Sequence, residues 1–312
     1  MNADRDETRG GDAMRVEMVE ASGPDGGGHI GARGIAAFRR DGLLVIRGLI
    51  APEEIEALRH DTAALIEEAE RGGMADCTYR TDPESGERQP FRIDYVVARS
   101  PACRRLMGHP FIRRSMEALF EDEIVQTWDS MVFKREGRGA RIAWHRDQRR
   151  GAIEAGPLAV NVDFYLDDAD ATTCLRGVPG SQAWSDGEAQ GFIDGLGADE
   201  FAGTVAAPLP MRAGDVLLHD VFVLHGSPES RSALRRVLYY EFRSREGERR
   251  HGPHDERYVA LKDAAFERCC ALRDGRASDE GTLGEPLEAL RVPHEPYWRA
   301  DSDFRPGQLT AP

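Results

Sequence analysis

The chain has 312 residues, a formal net charge of −14 and a pI near 5.2. That length can bury one large core or two small ones, and the acidic balance argues against nucleic acid or an anionic membrane as a partner. No apolar run reaches the about 18 residues that a membrane-spanning helix needs, and the charged, glycine-rich start lacks the pattern of a secretory signal. Cys77, Cys103, Cys174, Cys269 and Cys270 follow neither a zinc nor a disulfide spacing. A cytoplasmic protein with reduced thiols is expected.

Residues 1–28 are rich in Gly, Asp, Glu and Arg and are expected to form a disordered tail, with 29–312 as a single domain. Ile35-Ala36-Ala37-Phe38 begins a short helix that turns at Asp41-Gly42, and Leu43 to Leu49 reads as a buried strand. Ala51-Pro52-Glu53-Glu54 opens the next helix, with proline in the first turn and acids at its positive end. Ile55, Leu58, Leu65 and Ile66 carry it to about Ala69 at helical spacing. Residues 71–90 are polar and read as a mobile loop, either a lid or a plain insertion. Arg92, Ile93 and Tyr95 suggest a short strand, and Ser100-Pro101 and His109-Pro110 each start a helix.

Beyond that point the period changes to two. Strands are expected at 123–134, 141–147, 158–166, 174–178, 203–208, 215–224 and 234–243, separated by turns such as Pro179-Gly180-Ser181 and Ala213-Gly214-Asp215. Many short strands in succession predict a mainly β protein with flanking helices, a jelly-roll core with the N-terminal helices packed on one sheet. A helix near 255–272 and a proline-rich tail close the chain.

Within the strand region, His145 and Asp147 alternate and so leave the same face. An imidazole and a carboxylate side by side can be two ligands of a metal. His225, in Val223-Leu224-His225-Gly226-Ser227, is the best third. Two His and one carboxylate leave three coordination positions open, the arrangement suited to non-haem Fe(II) that activates O2. His219 competes for the third place but lies inside an apolar strand, where a satisfied core histidine is the commoner outcome.

Asn161, Asp163 and Tyr165 share one face of a strand whose other face is Val160, Val162, Phe164 and Leu166. In a one-sided sheet the polar face would meet solvent; in a barrel around a metal it would line the cavity as a candidate substrate contact, the reading preferred here. Arg235 and Arg236 begin the last strand, and alternation lets only one of them look inward. Lys134, Arg135, Arg138, Arg141, Arg146, Arg149 and Arg150 form a basic island around the ligands. It is either a solvated face or an attractor for an anionic small-molecule substrate, with Arg146 and Arg149 as the candidate contacts.

His145-x-Asp147, Leu166-Asp167-Asp168, Cys174-Leu175-Arg176, Val178-Pro179-Gly180-Ser181, Gly214-Asp215 and His225-Gly226-Ser227 with Arg236 resemble the phytanoyl-CoA dioxygenase-like (PhyH) family of 2-oxoglutarate-dependent oxygenases. So does the opening Phe38-x-x-Asp41-Gly42-Leu43-x-Val45-x-Arg47-Gly48-Leu49 followed by Pro52-Glu53-Glu54. The resemblance covers residues 35–245 and implies a double-stranded β-helix of the cupin type. It implies Fe(II) on His145, Asp147 and His225, and 2-oxoglutarate held by Arg236 with Ser227 and a weaker contribution from Gln126. The chain departs from the family at Gly177, at Gln182 where His is common, and in Ala171-Thr172-Thr173, which lacks a frequent Asn-Gly turn.

By the same resemblance the protein is a dioxygenase of specialised metabolism that oxidises an unactivated C–H bond of a small metabolite and releases succinate and CO2. Family members that halogenate lack the carboxylate, so Asp147 favours hydroxylation, desaturation or ring closure. The rival readings are a cupin-like isomerase using another metal, which leaves Arg236 and Ser227 idle, or a binding protein without turnover, which must treat the His-Asp-His triad as structural. Substrate and oligomeric state are not legible in the residues.

Overall fold

The computed structural model describes residues 16–20, 28–81, 86–135, 141–150, 159–197, 201, 206–230, 233–279 and 281–299. The chain starts with β1 (Met18–Glu20), α1 (Gly31–Asp41), β2 (Leu43–Arg47) and α2 (Pro52–Glu70). A hairpin, β3 (Cys77–Thr81) and β4 (Arg88–Asp94), leads to α3 (Val96–Arg99), α4 (Pro101–Met107) and α5 (Pro110–Phe120). The strands β5 (Ile124–Lys134), β6 (Ile142–His145), β7 (Ala159–Tyr165) and β8 (Leu175–Gly177) follow, then α6 (Asp186–Asp194). β9 (Ala207–Leu209), β10 (Val216–Asp220), β11 (His225–Ser227), β12 (Arg235–Ser244), α7 (Arg245–His251) and α8 (Glu256–Arg273) complete the order.

The strands form an eight-stranded sheet, β1-β2-β10-β7-β12-β5-β4-β3, and a four-stranded sheet, β6-β11-β8-β9. Leu43, Val45, Tyr165, Leu217 and Val237 of the large sheet cluster with Cys174, Leu175, Ala207 and Leu209 of the small one, which is the core of a jelly roll. The opposite face of the large sheet, with Leu44, Ile46, Val160, Val162, Phe164, Leu238 and Tyr240, packs on α1, α2, α4, α5 and α8. Every residue of β7 is therefore buried. The expected layers are present, with helices on one sheet.

Four local expectations need correction. Met18–Glu20 pairs in parallel with β2, so part of 1–28 is ordered; residues 1–15 and 21–27 lie outside the described residues. The stretch 71–90 is largely a hairpin continuing the sheet, since β4 pairs with β5; residues 82–85 lie outside the description. The strand expected at 203–208 extends further, as β9 runs to Leu209; residues 202–205 lie outside the described residues. The strand expected at 215–224 ends at Asp220, whose Oδ1 accepts from the Phe222 amide. That turn carries the chain from the large sheet to the small one, which Val221-Phe222-Val223-Leu224 conceals by being apolar throughout.

The C-terminal segment returns to the body. Leu290, Val292 and His294 are buried, and His254 bridges to Trp298. Among the described residues, no helix is long and apolar enough to cross a membrane.

Candidate metal centre

β6 and β11 are antiparallel neighbours with His145 opposite His225. The residue before each, Trp144 and Leu224, points to the other face and joins Val178, Ala189, Phe201 and Ala206 in an apolar cluster under α6. Trp144 stacks on Phe201 at 5.4 Å and meets Phe192 edge-on at 5.7 Å. Anchoring the outer residues turns both imidazoles inward, with ring centroids 4.3 Å apart. The Ser181 hydroxyl accepts from the Leu224 amide at 2.8 Å, and the Leu224 carbonyl accepts from Val178, so Val178-Pro179-Gly180-Ser181 holds the entry to β11. Gly226 keeps the strands close: a Cβ there would lie 3.0 Å from the Ile142 carbonyl oxygen and 3.3 Å from the Trp144 Cα, so the neighbouring backbone would have to give way.

Each imidazole is aimed by its own backbone. His145 Nδ1 donates to the Ala143 carbonyl at 2.8 Å, and His225 Nδ1 to the Val223 carbonyl at 3.0 Å. Both Nε2 atoms are left with lone pairs for a metal. Asp147 Oδ1 lies 3.4 Å from His145 Nε2 and 3.6 Å from His225 Nε2. The three ligand atoms all lie within 4.8 Å of one another. Metal bonds of about 2.1 Å place adjacent ligands about 3 Å apart, so a small shift inward closes this set on an ion.

Electrostatics agree. Burial and the neighbouring His145 push His225 down to about 3, which keeps its Nε2 unprotonated. Burial would raise Asp147, but His225, His145 and His219 together hold it well below the usual carboxylate range.

His219 is not a ligand. Its Nδ1 donates to Asp163 Oδ2 at 3.0 Å and its Nε2 to Asp147 Oδ2 at 2.9 Å. Burial favours the neutral ring, yet Asp163 and Asp147 push its pKa up to about 10. Asn161 Nδ2 donates to the same Asp147 oxygen at 2.7 Å.

The expectation that Asn161, Asp163 and Tyr165 line a substrate cavity is thereby corrected. All three face the inside of the jelly roll, but Asn161 supports Asp147, Asp163 is fully buried against His219, and Tyr165 is packed in the apolar core.

Arg236 does not face the centre. It shares the helix-side face with Leu238 and Tyr240, donates through Nε and Nη2 to both oxygens of Asp167 at 2.8 Å, and reaches the Arg59 carbonyl of α2. It fastens β12 to α2. Arg235 is the inward arginine, opposite Lys134 in register. Lys134 Nζ donates to Ser227 Oγ at 2.8 Å and to the Pro228 carbonyl at 2.7 Å, and burial with the nearby Arg235 pushes its pKa down to about 6. Arg235 donates to the Thr173 carbonyl. Arg235, Lys134 and Ser227 thus lie buried close to one another. Gln126 is buried and donates to the Trp128 carbonyl at 2.6 Å.

The basic island is dispersed. Arg146 donates to Asp186 and to the Ser181 and Trp184 carbonyls, which ties the ligand strand to α6 and corrects its assignment as a substrate contact. Arg150 lies over the Phe222 ring, Arg135 pairs with Glu70, and Arg149 is exposed. Arg138 lies outside the described residues. Other motif residues prove structural: Arg47 and the Gly48 amide both bind Asp215, and Asp168 accepts from the Ala213 amide.

Fold and site together give a jelly-roll core with a His-Asp-His group that could hold a metal ion. Residues 38–237 match the Phytanoyl-CoA dioxygenase (PhyH) family, and the chain belongs to that family. It is 29% identical over 128 residues to the ectoine dioxygenase of Sphingopyxis alaskensis, a match that spans 41% of this chain and 40% of that protein. The crystal structure of AviO1 from Streptomyces viridochromogenes superposes with a TM-score of 0.57 at 28% identity, covering 69% of this chain and 95% of that one. The structure of EctD from S. alaskensis with 2-oxoglutarate and 5-hydroxyectoine gives 0.57 at 22% identity, covering 70% and 77%, and supports the fold. Iron with 2-oxoglutarate as cosubstrate is the pairing that suits the family and this donor set alike.

Proposed function

We propose that the protein is an Fe(II)- and 2-oxoglutarate-dependent dioxygenase that oxidises a C–H bond of a small molecule in specialised metabolism. The observation that carries this reading is the inward pair of Nε2 atoms facing a single Asp147 oxygen. His145, Asp147 and His225 would hold the metal on one side and leave the other side for cosubstrate and O2. Iron held there would activate O2, the oxidant, while 2-oxoglutarate supplies two of the four electrons O2 takes up and is decarboxylated to succinate and CO2.

The chain's own residues do the rest. Arg235 takes the place first given to Arg236: with Lys134 and Ser227 it offers cationic and hydroxyl donors for the distal carboxylate of 2-oxoglutarate. That contact would also restore the proton that burial tends to strip from Lys134. Asp147 fills the coordination position that a halide would need, so hydroxylation, desaturation or ring closure is the reaction class. Arg149 is an exposed cation beside the ligand segment that could meet an anionic substrate. Succinate release coupled to O2 uptake, screened over small metabolites, tests the reading. Oxygen uptake that continues unchanged in His145→Ala would overturn it.

A further inference from the structure

Three groups that face the barrel interior are not accounted for by binding metal, cosubstrate or substrate: Asn161, Asp163 and His219. They form one hydrogen-bonded unit. β10 and β7 are paired so that His219 stands opposite Asn161, with Asp163 two residues further along the same face. His219 is 1% exposed and Asp163 0%. Asp163 Oδ2 accepts from Nδ1 of the ring at 3.0 Å, which fixes the ring plane and sends Nε2 to Asp147 Oδ2 at 2.9 Å. Asn161 delivers a second N–H to that same oxygen at 2.7 Å. The other oxygen, Oδ1, is the one that faces His145 and His225.

We propose that His219, oriented by Asp163 and joined by Asn161, is the positioning residue that restricts Asp147 to one-oxygen coordination. A carboxylate on an ordinary side chain can swing about its Cβ–Cγ bond and present both oxygens. Two donors on Oδ2 remove that freedom. A second carboxylate oxygen on the metal would take one of the three positions that two His and one carboxylate otherwise leave open. Asp147 sits at the end of β6, where the strand gives way to a bend, so its backbone does not hold the carboxylate as β6 and β11 hold the two histidines. The clamp supplies from the large sheet the rigidity that the small sheet lacks at this point. Outer partners of metal ligands commonly change affinity by about 10- to 100-fold when removed. The inference rests on the proposed metal centre.

The test uses Co(II) as the probe, added anaerobically to the full chain, with affinity from titration calorimetry and geometry from the visible ligand-field spectrum. His219→Leu and Asn161→Leu should each weaken Co(II) binding by about tenfold or more and alter the spectrum. His219→Gln keeps an N–H near the Nε2 position, and should stay within a few-fold of the parent with the parental spectrum. A folded His219→Leu with parental affinity and spectrum would overturn the proposal. If that variant does not fold, an Asn161→Leu protein indistinguishable from the parent overturns it instead. Asp147→Ala and His145→Ala separate the two levels: if they too bind Co(II) like the parent, the metal centre itself is misassigned.

Discussion

Adjacent arginines at the start of β12 face opposite sides of the large sheet, and the tasks proposed for them can be told apart by experiment. Arg235→Met should raise the KM for 2-oxoglutarate by about tenfold or more, since it removes a charged hydrogen-bond donor worth about 1.5–3 kcal/mol. Arg236→Met should cost about 1.5 kcal/mol of stability by removing the paired charged hydrogen bonds to half-buried Asp167, which keeps Arg59 as a partner, and leave the KM of the folded enzyme near the parental value. Steady-state kinetics and denaturant melts of the two variants decide this; exchanged effects would return the cosubstrate to Arg236. The residues His145, Asp147 and His225 were legible because metal ligands are few, chemically distinctive and tied to strand periodicity. Alternation also showed that one arginine must face out. Which one could not be read, because that depends on the register of β12 against β5 and β7. The support of Asp147 by Asn161 and His219 was hidden for the same reason: it crosses from one sheet to the other.

At the scale of elements, the centre depends on what lies behind it. α6 carries a full capping box, with Ser185 Oγ accepting from the Glu188 amide and the Glu188 carboxylate accepting from the Ser185 amide. Ser185-x-x-Glu188 has the residue pattern of a capping box. We expect Ser185→Ala to cost about 1 kcal/mol. Trp144→Ala should cost about 3–5 kcal/mol and weaken metal binding too, because it frees the strand that carries His145. A melt combined with a Co(II) titration checks both, and a Trp144→Ala protein that loses stability but binds metal normally would show that α6 does not brace the site. The long helix α2 was readable from proline, acids in its first turn and apolar spacing. The β3–β4 hairpin was not: Thr78-Tyr79-Arg80 against Gln89-Pro90-Phe91 is stabilised by cross-strand contacts, including Arg80 over Phe91, and not by an apolar face.

For the molecule as a whole, pH offers an independent check on the packing of helices against the large sheet. Burial pushes Asp94 up from 3.8 to about 6, against the pull of Arg92. The folded chain then keeps that proton to higher pH than the unfolded chain, so its stabilising contribution is complete below the unfolded pKa and is lost as pH rises through about 6. The difference in thermal midpoint between the parent and Asp94→Asn should therefore shift against the parent from about pH 4 to about pH 7. A difference that does not change with pH would mean that Asp94 is not buried in this way. The central claim, that the small sheet brings His145, Asp147 and His225 together around iron with 2-oxoglutarate beside them, is tested most directly by anaerobic titration of Fe(II) and 2-oxoglutarate into the purified chain. We expect a visible charge-transfer band at one equivalent of iron, lost in His225→Ala and requiring much more 2-oxoglutarate in Arg235→Met. No band in the parent, or an undiminished band in His225→Ala, would contradict the assignment.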